Sequence, residues 1–297
     1  MIRLIQRYLL PFLPEWFAAR ARTIVPASIR ASYRRASNDV FLLSFPCAGR
    51  TWVRLLIFRT LQHHFGIERA AGLNIQPLID ESGDLSAPRI IVEHDGNPHE
   101  RTPSDLLSDK NYYRGAKVIL LVREPRDQIV SWYFEATRRQ KIAGNESLNF
   151  NGEISEFIRG KRGGLETLLE YYNIWADNMA VPDDVLIVRY EDLRRDPLPQ
   201  LRAIVEFIGF GSIDDKILSE AIEFCSMENM RRLESSGRLD DAAFQPGDRD
   251  DRESFKVRRG VVGGFRDYLS ESDQEYVEKM IGEKLRASFL SNSSDAR

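Results

Sequence analysis

The sequence contains few residues that could build a metal site or a disulfide framework. Its 297 residues include only two cysteines, Cys47 and Cys225, and four histidines. Two cysteines cannot form the disulfide network of a small secreted domain, and they indicate a reducing compartment. The six Cys and His residues show no ligand spacing, so we expect neither a structural zinc site nor another metal.

The chain also lacks a strong net charge. Its formal net charge of −3 gives no sign of nonspecific nucleic-acid binding, so the sequence predicts no nucleic-acid partner. Hydrophobic residues make up 42% of the chain and charged residues 29%. This composition is typical of a soluble globular protein and excludes collagen-like and wholly disordered chains.

Residues 1–37 differ from the rest in charge. They hold seven arginines and one acid, Glu15, which gives this segment a net charge of +6 and leaves −9 for the remainder. Arg7, Pro11 and Pro14 interrupt its apolar residues well before the roughly 18 that a membrane span needs. Three interpretations stay open: a basic amphipathic segment in peripheral contact with anionic lipid, a helix packed on the domain, and an organellar transit peptide.

Four short apolar runs predict β-strands, at residues 40–45, 90–92, 118–122 and 185–188. Their hydrophobicity is continuous rather than alternating, which is typical of strands covered on both faces. Helix-like segments follow three of them, at about 51–65, 125–141 and 197–208. The alternation predicts one α/β domain over residues 38–290, with a central parallel sheet and helices on both faces in a P-loop-like, three-layer arrangement.

Two internal stretches have the composition of irregular structure. Residues 66–88 are rich in glycine and proline, and residues 235–257 are polar and charged with few aliphatic side chains. A loop as long as the second inside a compact domain is typical of a lid, so we predict a mobile lid at 235–257. Residues 291–297 are predicted to form a frayed tail.

The stretch FPCAGRTW, residues 45–52, predicts a phosphate-binding loop. A buried strand ends at Pro46, a turn follows at Gly49, and a helix begins at Thr51. The free N–H groups and the dipole at a helix start create an anion site. Arg50 and Thr51 would add a cation and a hydroxyl there. The loop is not that of nucleoside triphosphatases, because the chain contains no G-x-x-x-x-G-K-[ST] sequence.

This loop resembles the Y-P-K-S-G-T-T-W loop of sulfotransferases that use 3′-phosphoadenosine 5′-phosphosulfate (PAPS). Three further segments match that family in order. Arg123 and Ser131 resemble its 3′-phosphate motif, residues 185–197 (VLIVRYEDLRRDP) resemble its Y-E-D-L segment, and residues 258–265 (RRGVVGGF) resemble its R-K-G-x-x-G-D-W element. The chain is therefore identified as a member of the PAPS-dependent, cytosolic-type sulfotransferase family.

The resemblance implies a set of nucleotide-binding residues. Arg123, Ser131 and Arg258 would bind the 3′-phosphate, and Trp52 and Tyr190 would hold the adenine. The complete set is Cys47, Ala48, Gly49, Arg50, Thr51, Trp52, Arg123, Ser131, Tyr190, Ser226, Arg258, Arg259 and Gly260.

The resemblance also implies the reaction. A sulfuryl group would pass in line from PAPS to a hydroxyl of a glycan, a lipid or a small molecule, and a histidine after the second strand would act as general base. His94 occupies that position, and histidine titrates near neutral pH, as a base for an alcohol requires. Glu93 and Asp95 are the alternative bases.

The loop departs from the family at one position that matters for catalysis. Cys47 stands where the family has a lysine, and a cysteine cannot supply its positive charge. Arg50 is the candidate replacement, so the predicted catalytic residues are His94 and Arg50.

Two other functions stay open at this stage. One is a pseudoenzyme that binds PAPS or adenosine 3′,5′-bisphosphate (PAP) without turnover, and the other is a small-molecule kinase. The family's K-T-V-x-x-x-E dimer signature is absent, so the sequence predicts no oligomeric state. The expected location is cytoplasmic, with membrane contact through residues 1–37 as an option.

Overall fold

The structure is a computed structural model that describes residues 39–84, 87–139, 149–237, 239, 244–245 and 247–290. The predictions made for residues 1–37 and 291–297 lie outside these ranges. The predicted lid is described except for residues 238, 240–243 and 246.

Four parallel strands form the centre of the fold. They are β1 (Val40–Ser44), β2 (Ile90–Glu93), β3 (Lys117–Val122) and β4 (Asp184–Arg189), in the spatial order β2-β1-β3-β4. In the register, Val40 lies opposite both Ile90 of β2 and Lys117 of β3. Each of the four predicted strands is confirmed to within one residue at either end.

Alternate residues of β1 face two different hydrophobic cores. Val40 and Leu42 belong to one core, whereas Phe41 and Leu43 belong to the other. All four side chains are almost completely buried, which explains why the strand reads as a continuous apolar run. The sheet is thus covered on both faces, and the predicted three-layer α/β architecture is confirmed.

The helices of the described residues cover these two faces. In chain order they are α1 (Arg50–His64), α2 (Gln76–Ser82), α3 (Pro125–Arg138), α4 (Ile154–Arg159), α5 (Leu165–Asp177), α6 (Tyr190–Arg195), α7 (Pro197–Ile208), α8 (Asp215–Phe224), α9 (Met227–Ser236) and α10 (Glu271–Lys284). Helices α1, α2, α7 and α8 pack in the core that holds Val40, and α3, α5 and α10 in the core that holds Phe41. No helix in the described ranges is both long and apolar enough to cross a membrane.

The predicted helices correspond to α1, α3 and α7, and the largest difference is at the end of α3. Helix α3 ends at Arg138, three residues before its predicted end. Helix α2 lies inside the stretch 66–88 that composition marks as irregular. It forms because Leu78 and Ile79 bury against α1 and its surroundings, and because a proline at the first helical turn costs no intrahelical hydrogen bond.

Candidate active site

One cavity at the carboxyl ends of the strands collects most of the predicted site residues. The loop after β1 forms one wall, and the residues that follow β2, β3 and β4 complete it, as expected for a ligand site of a parallel sheet. The predicted residues that line it are Cys47, Gly49, Arg50, Thr51, Trp52, His94, Arg123, Ser131, Tyr190, Arg258, Arg259 and Gly260.

Two predicted residues do not reach this cavity. Ala48 is buried in the core beneath the loop. Ser226 is exposed, and its hydroxyl accepts a hydrogen bond from the backbone N–H of Asn229 at 3.4 Å, which caps α9. A serine at this position satisfies a helix start, so the structure does not bring Ser226 to the predicted nucleotide site.

The phosphate loop is held by close contacts with Tyr190. Gly49 adopts a left-handed conformation with φ 93° before α1, and a Cβ added there would lie 2.8 Å from Cδ2 of Tyr190. Only glycine satisfies both conditions. The indole N–H of Trp52 donates to the carbonyl of Cys225 at 3.0 Å, and its ring meets Tyr190 edge-on at 6.1 Å between centroids. The two aromatic rings therefore form a fixed wall at the start of α1.

Arg123 reaches this loop from the end of β3. Its Nη1 donates to the carbonyl of Cys47 at 3.0 Å, and its guanidinium lies 4.5 Å from the centroid of the Tyr190 ring. The hydroxyl of Tyr172 accepts from the backbone N–H of Arg123 at 3.1 Å. These contacts fix the guanidinium plane at the cavity.

Arg258 enters from the opposite side. Its Nη1 donates to Glu253, and its guanidinium lies 4.1 Å from the centroid of the Phe134 ring. Gly260, with φ 64°, allows the chain to turn here, and a Cβ at this glycine would lie 2.4 Å from Cε of Met227. Arg259 is more exposed and pairs with Asp267 at 2.6 Å.

Three arginines of this cavity keep a buried nitrogen without a hydrogen-bond partner among the residues described. These atoms are Nη1 of Arg50, Nε of Arg123 and Nε of Arg258. A buried donor left unpaired costs about 1–3 kcal/mol, and more when it is charged, so such groups are rare unless a ligand completes them. Three convergent arginines fit a ligand that carries several phosphate or sulfonate oxygens.

His94 follows β2 with an orientation suited to proton transfer. Its Nδ1 lies 2.9 Å from the carbonyl oxygen of Ser44, so Nδ1 carries the hydrogen and Nε2 is left with its lone pair. Nε2 accepts a hydrogen bond from the Arg50 guanidinium. Burial, followed by the positive charge of Arg50, holds the pKa of His94 well below its usual range, so the imidazole is neutral near pH 7.

The alternative bases have other partners. Asp95 is 5% exposed, and its carboxylate accepts from Lys110 at 2.7 Å, from Trp175 at 2.8 Å and from Tyr113 at 2.7 Å. Neither Asp95 nor Glu93 lines the cavity. Asp95 instead anchors the turn after β2 that presents His94.

Cys47 supplies no charge to the loop. It has a left-handed backbone with φ 65°. Burial and the nearby Glu135 carboxylate raise the pKa of its thiol, so the group is a neutral thiol near pH 7.

The cavity is also lined by four titratable residues that the sequence motifs did not indicate: His99, Glu135, Arg139 and Lys256. Glu135 pairs with Lys256 at 2.9 Å and with Arg139 at 3.1 Å. Burial raises the pKa of Glu135, but the two cations outweigh burial, and the pKa lies below its ordinary value. Glu135 lies one turn after Ser131 on α3, so helical spacing alone could have placed it on the cavity face. No comparable signal marks His99 or Lys256.

Hydrogen bonds attach the segment that carries Lys256 to α9 and to the end of α3. The backbone N–H groups of Lys256 and Val257 donate to Glu234 of α9 at 2.5 and 3.0 Å. Arg139 donates to the carbonyl of Ser254 at 2.7 Å. This end of the predicted lid therefore packs on the domain in the structure, and lid motion over 235–257 stays a prediction.

The site contains no obvious place for a metal ion. Within the ranges that the structure covers, no three His, Cys, Asp or Glu side chains are grouped as a metal site would require.

Comparison with known proteins gives one consistent family. The sulfotransferase domain family matches residues 37–289. Cytosolic sulfotransferase 12 of Arabidopsis thaliana is 28% identical over 288 residues, covering 88% of this chain and 82% of that protein. The flavonol 4′-sulfotransferase of Flaveria chlorifolia is 27% identical over 282 residues, covering 87% and 82%.

Solved structures show the same fold. Mouse sulfotransferase SULT7A1, complexed with PAP, superposes with a TM-score of 0.56 at 20% identity, covering 85% of this chain and 86% of that one. Retinol dehydratase, in complex with androsterone and PAP, gives a TM-score of 0.52 at 18% identity, covering 91% and 88%.

Proposed function

Since the chain belongs to the sulfotransferase family and is therefore a PAPS-dependent enzyme, we propose that it transfers a sulfuryl group to an acceptor hydroxyl with His94 as general base. The observation that carries this proposal is the convergence of three arginines with unpaired buried nitrogens on the cavity that holds a neutral His94. When bound, PAPS supplies the sulfuryl group and the nucleotide leaving group.

The nucleotide end of the cavity is assigned to Arg123, Ser131 and Arg258. Their two guanidinium groups and one hydroxyl would bind the 3′-phosphate through charged hydrogen bonds. Trp52 and Tyr190 offer the aromatic wall for the adenine. The loop residues Cys47, Gly49, Arg50 and Thr51 would face the 5′-phosphosulfate, because the N-terminus of α1 opens there.

His94 would take the proton of the acceptor hydroxyl on Nε2. The carbonyl of Ser44, which accepts from Nδ1, fixes the tautomer and stabilises the imidazolium that forms. Arg50 occupies Nε2 in the present arrangement, so its guanidinium must leave before the hydroxyl can bind there.

Arg50 would then act on the transferring group. Its unpaired Nη1 lies buried at the helix start, where the helix dipole is positive. The guanidinium can bind the oxygens on which negative charge develops, and it would replace the lysine that Cys47 does not provide.

For the acceptor, we propose a molecule that carries a hydroxyl group. Relatives are named for flavonols, and one structural neighbour is a complex with androsterone. The plant relatives are also named as cytosolic enzymes, and we propose a cytoplasmic location for this chain.

The experiment pairs nucleotide binding with turnover. PAP should raise the unfolding midpoint of the protein, whereas ATP with Mg²⁺ should not. With labelled PAPS and a panel of alcohols, His94→Ala should lower kcat by about 10²-fold or more and leave PAP affinity unchanged. His64→Ala, at an exposed position of α1, is the control.

Other results of this experiment would favour other functions. Binding of PAP without turnover on any alcohol would favour the pseudoenzyme. Preferential binding of ATP with Mg²⁺ would favour a kinase. Full activity of His94→Ala would remove this residue from the mechanism.

A further inference from the structure

The cavity wall beside His94 carries three polar side chains around one aromatic ring. His99 lies with its ring centroid 5.2 Å from that of His94, and Trp132 lies 5.2 Å from His99. Glu135, one turn after Ser131, and Lys256, 2.9 Å from Glu135, continue the surface. All of them line the cavity. We call His99, Trp132, Glu135 and Lys256 the polar wall.

The polar wall has unused hydrogen-bonding capacity. His99 is 9% exposed, and its Nδ1 is buried with no partner in the described ranges. The Lys256 ammonium has three N–H donors, and the hydrogen bond found for it in the described part of the chain goes to Glu135. The Lys256 side chain is 25% exposed, so its remaining donors can meet a ligand.

The polar wall is also rigid and suited to neutral hydrogen-bonding partners. Burial, followed by the charge of Arg50, lowers the pKa of His99 to about 4, so its imidazole carries one donor and one acceptor at neutral pH. The Glu234 carboxylate accepts a hydrogen bond from the backbone N–H of Lys256, and Arg139 donates to the same carboxylate. These contacts fix the position of Lys256. The carboxylates of Glu135 and Glu234 balance the positive charges of Lys256 and Arg139, so these pairs give the surface no net charge.

An apolar acceptor would fit this surface badly. A phenol or sterol ring laid on it would cover the Glu135–Lys256 pair and the Nδ1 of His99 without giving them new hydrogen bonds, which is costly. Hydroxyl groups both donate and accept. Sites built to bind hydroxyls reject analogues that lack them strongly, whereas apolar pockets discriminate weakly.

We infer that the acceptor is a polyhydroxylated, sugar-like alcohol. In this assignment His94 receives the hydroxyl to be sulfated, while His99, Glu135 and Lys256 bind the neighbouring hydroxyls. The inference rests on the proposed function, because it takes His94 as the position of the reacting hydroxyl.

The test measures acceptor binding to the PAP-saturated protein by ligand-observed NMR, so it does not require turnover. The probes are methyl glucopyranosides and myo-inositol as polyols, and 2-naphthol as an apolar alcohol. The wild-type protein should bind at least one polyol saturably. Lys256→Met and His99→Phe should each weaken that binding about tenfold or more and leave PAP affinity unchanged.

Controls separate the outcomes. Lys279→Met, on the exposed side of α10, should change nothing. Lys256 and His99 lie on different segments, so loss of polyol binding in both variants with intact PAP binding is not a common folding defect. A PAP-binding protein that binds no polyol, prefers 2-naphthol, or binds polyols equally in both variants overturns this inference alone. A wild-type protein that does not bind PAP overturns the proposed function and this inference with it.

Discussion

The two ends of the cavity are built in different ways. At the nucleotide end, Arg123 and Arg258 lie over the rings of Tyr190 and Phe134 at 4.5 and 4.1 Å, and each keeps a buried Nε without a hydrogen-bond partner among the described residues. At the transfer end, the Arg50 guanidinium donates to the neutral imidazole of the proposed base, His94. The first end is preorganised, while the second must exchange partners during the reaction.

The largest expected effect is a loss of kcat caused by a substitution at the transfer end. Arg50→Ala should lower kcat by about 10²–10³-fold, the usual cost of one transition-state donor, with a smaller loss of PAP affinity. Steady-state kinetics with labelled PAPS and PAP titration measure both. Arg202→Ala, on the surface of α7, is the control.

A second substitution sharpens this result. Cys47→Lys should partly restore the activity of Arg50→Ala, because it returns a positive charge to the loop. Equal losses of kcat and PAP affinity in Arg50→Ala would instead assign Arg50 to ground-state binding.

The next largest effect is a loss of PAP affinity caused by a substitution at the nucleotide end. Arg123→Ala should weaken PAP binding about 10- to 150-fold, since a charged hydrogen bond contributes about 1.5–3 kcal/mol. Adenosine 5′-phosphate, which lacks the 3′-phosphate, should bind nearly as well as before. Calorimetric titration of the two ligands compares them, and equal losses would contradict the assignment of Arg123.

The pH dependence of kcat reports on the transfer end. His94 acts as a base only when neutral, so activity falls as the pH drops through its pKa. Because burial and Arg50 hold this pKa well below the ordinary value, the wild-type rate should stay level from pH 8 down to about 6. In ligand-free Arg50→Ala one of these causes is removed, so NMR titration of the His94 imidazole should give a higher pKa than in the wild-type protein. A wild-type acid limb above pH 6.5 would contradict this assignment.

The smallest expected effect concerns Cys47. Because its thiol is neutral and its pKa is raised, Cys47→Ser should leave kcat and PAP affinity nearly unchanged under oxidising and reducing conditions. If this variant is inactive while Arg50→Ala is not, the thiol has a chemical role.

The sequence predicted the sheet because each strand appears as an uninterrupted apolar run, and the two central strands, β1 and β3, are buried on both faces. It did not predict α2, since the glycines and prolines of 66–88 hide a short helix that tertiary burial stabilises. Tertiary contacts regularly override such local signals.

In the site, too, local sequence marks some residues, whereas others are brought there by tertiary contacts. Arg50, His94 and Arg123 follow strand ends, so local sequence marks them. The pair of Glu135 and Lys256 joins positions 121 residues apart, and no local pattern could reveal it. Ser226 belongs to the nucleotide-binding set that the resemblance implies, whereas its side chain caps the start of α9 in the structure.

The hydrogen bond between Arg50 and His94 bears on the order in which the two substrates add. While Arg50 occupies Nε2, an alcohol that arrives first finds the lone pair of the base already taken. A nucleotide that arrives first draws the guanidinium towards its own negative charge and leaves Nε2 open. We therefore expect compulsory-order kinetics with the donor first, so that PAP inhibits competitively against PAPS but not against the alcohol.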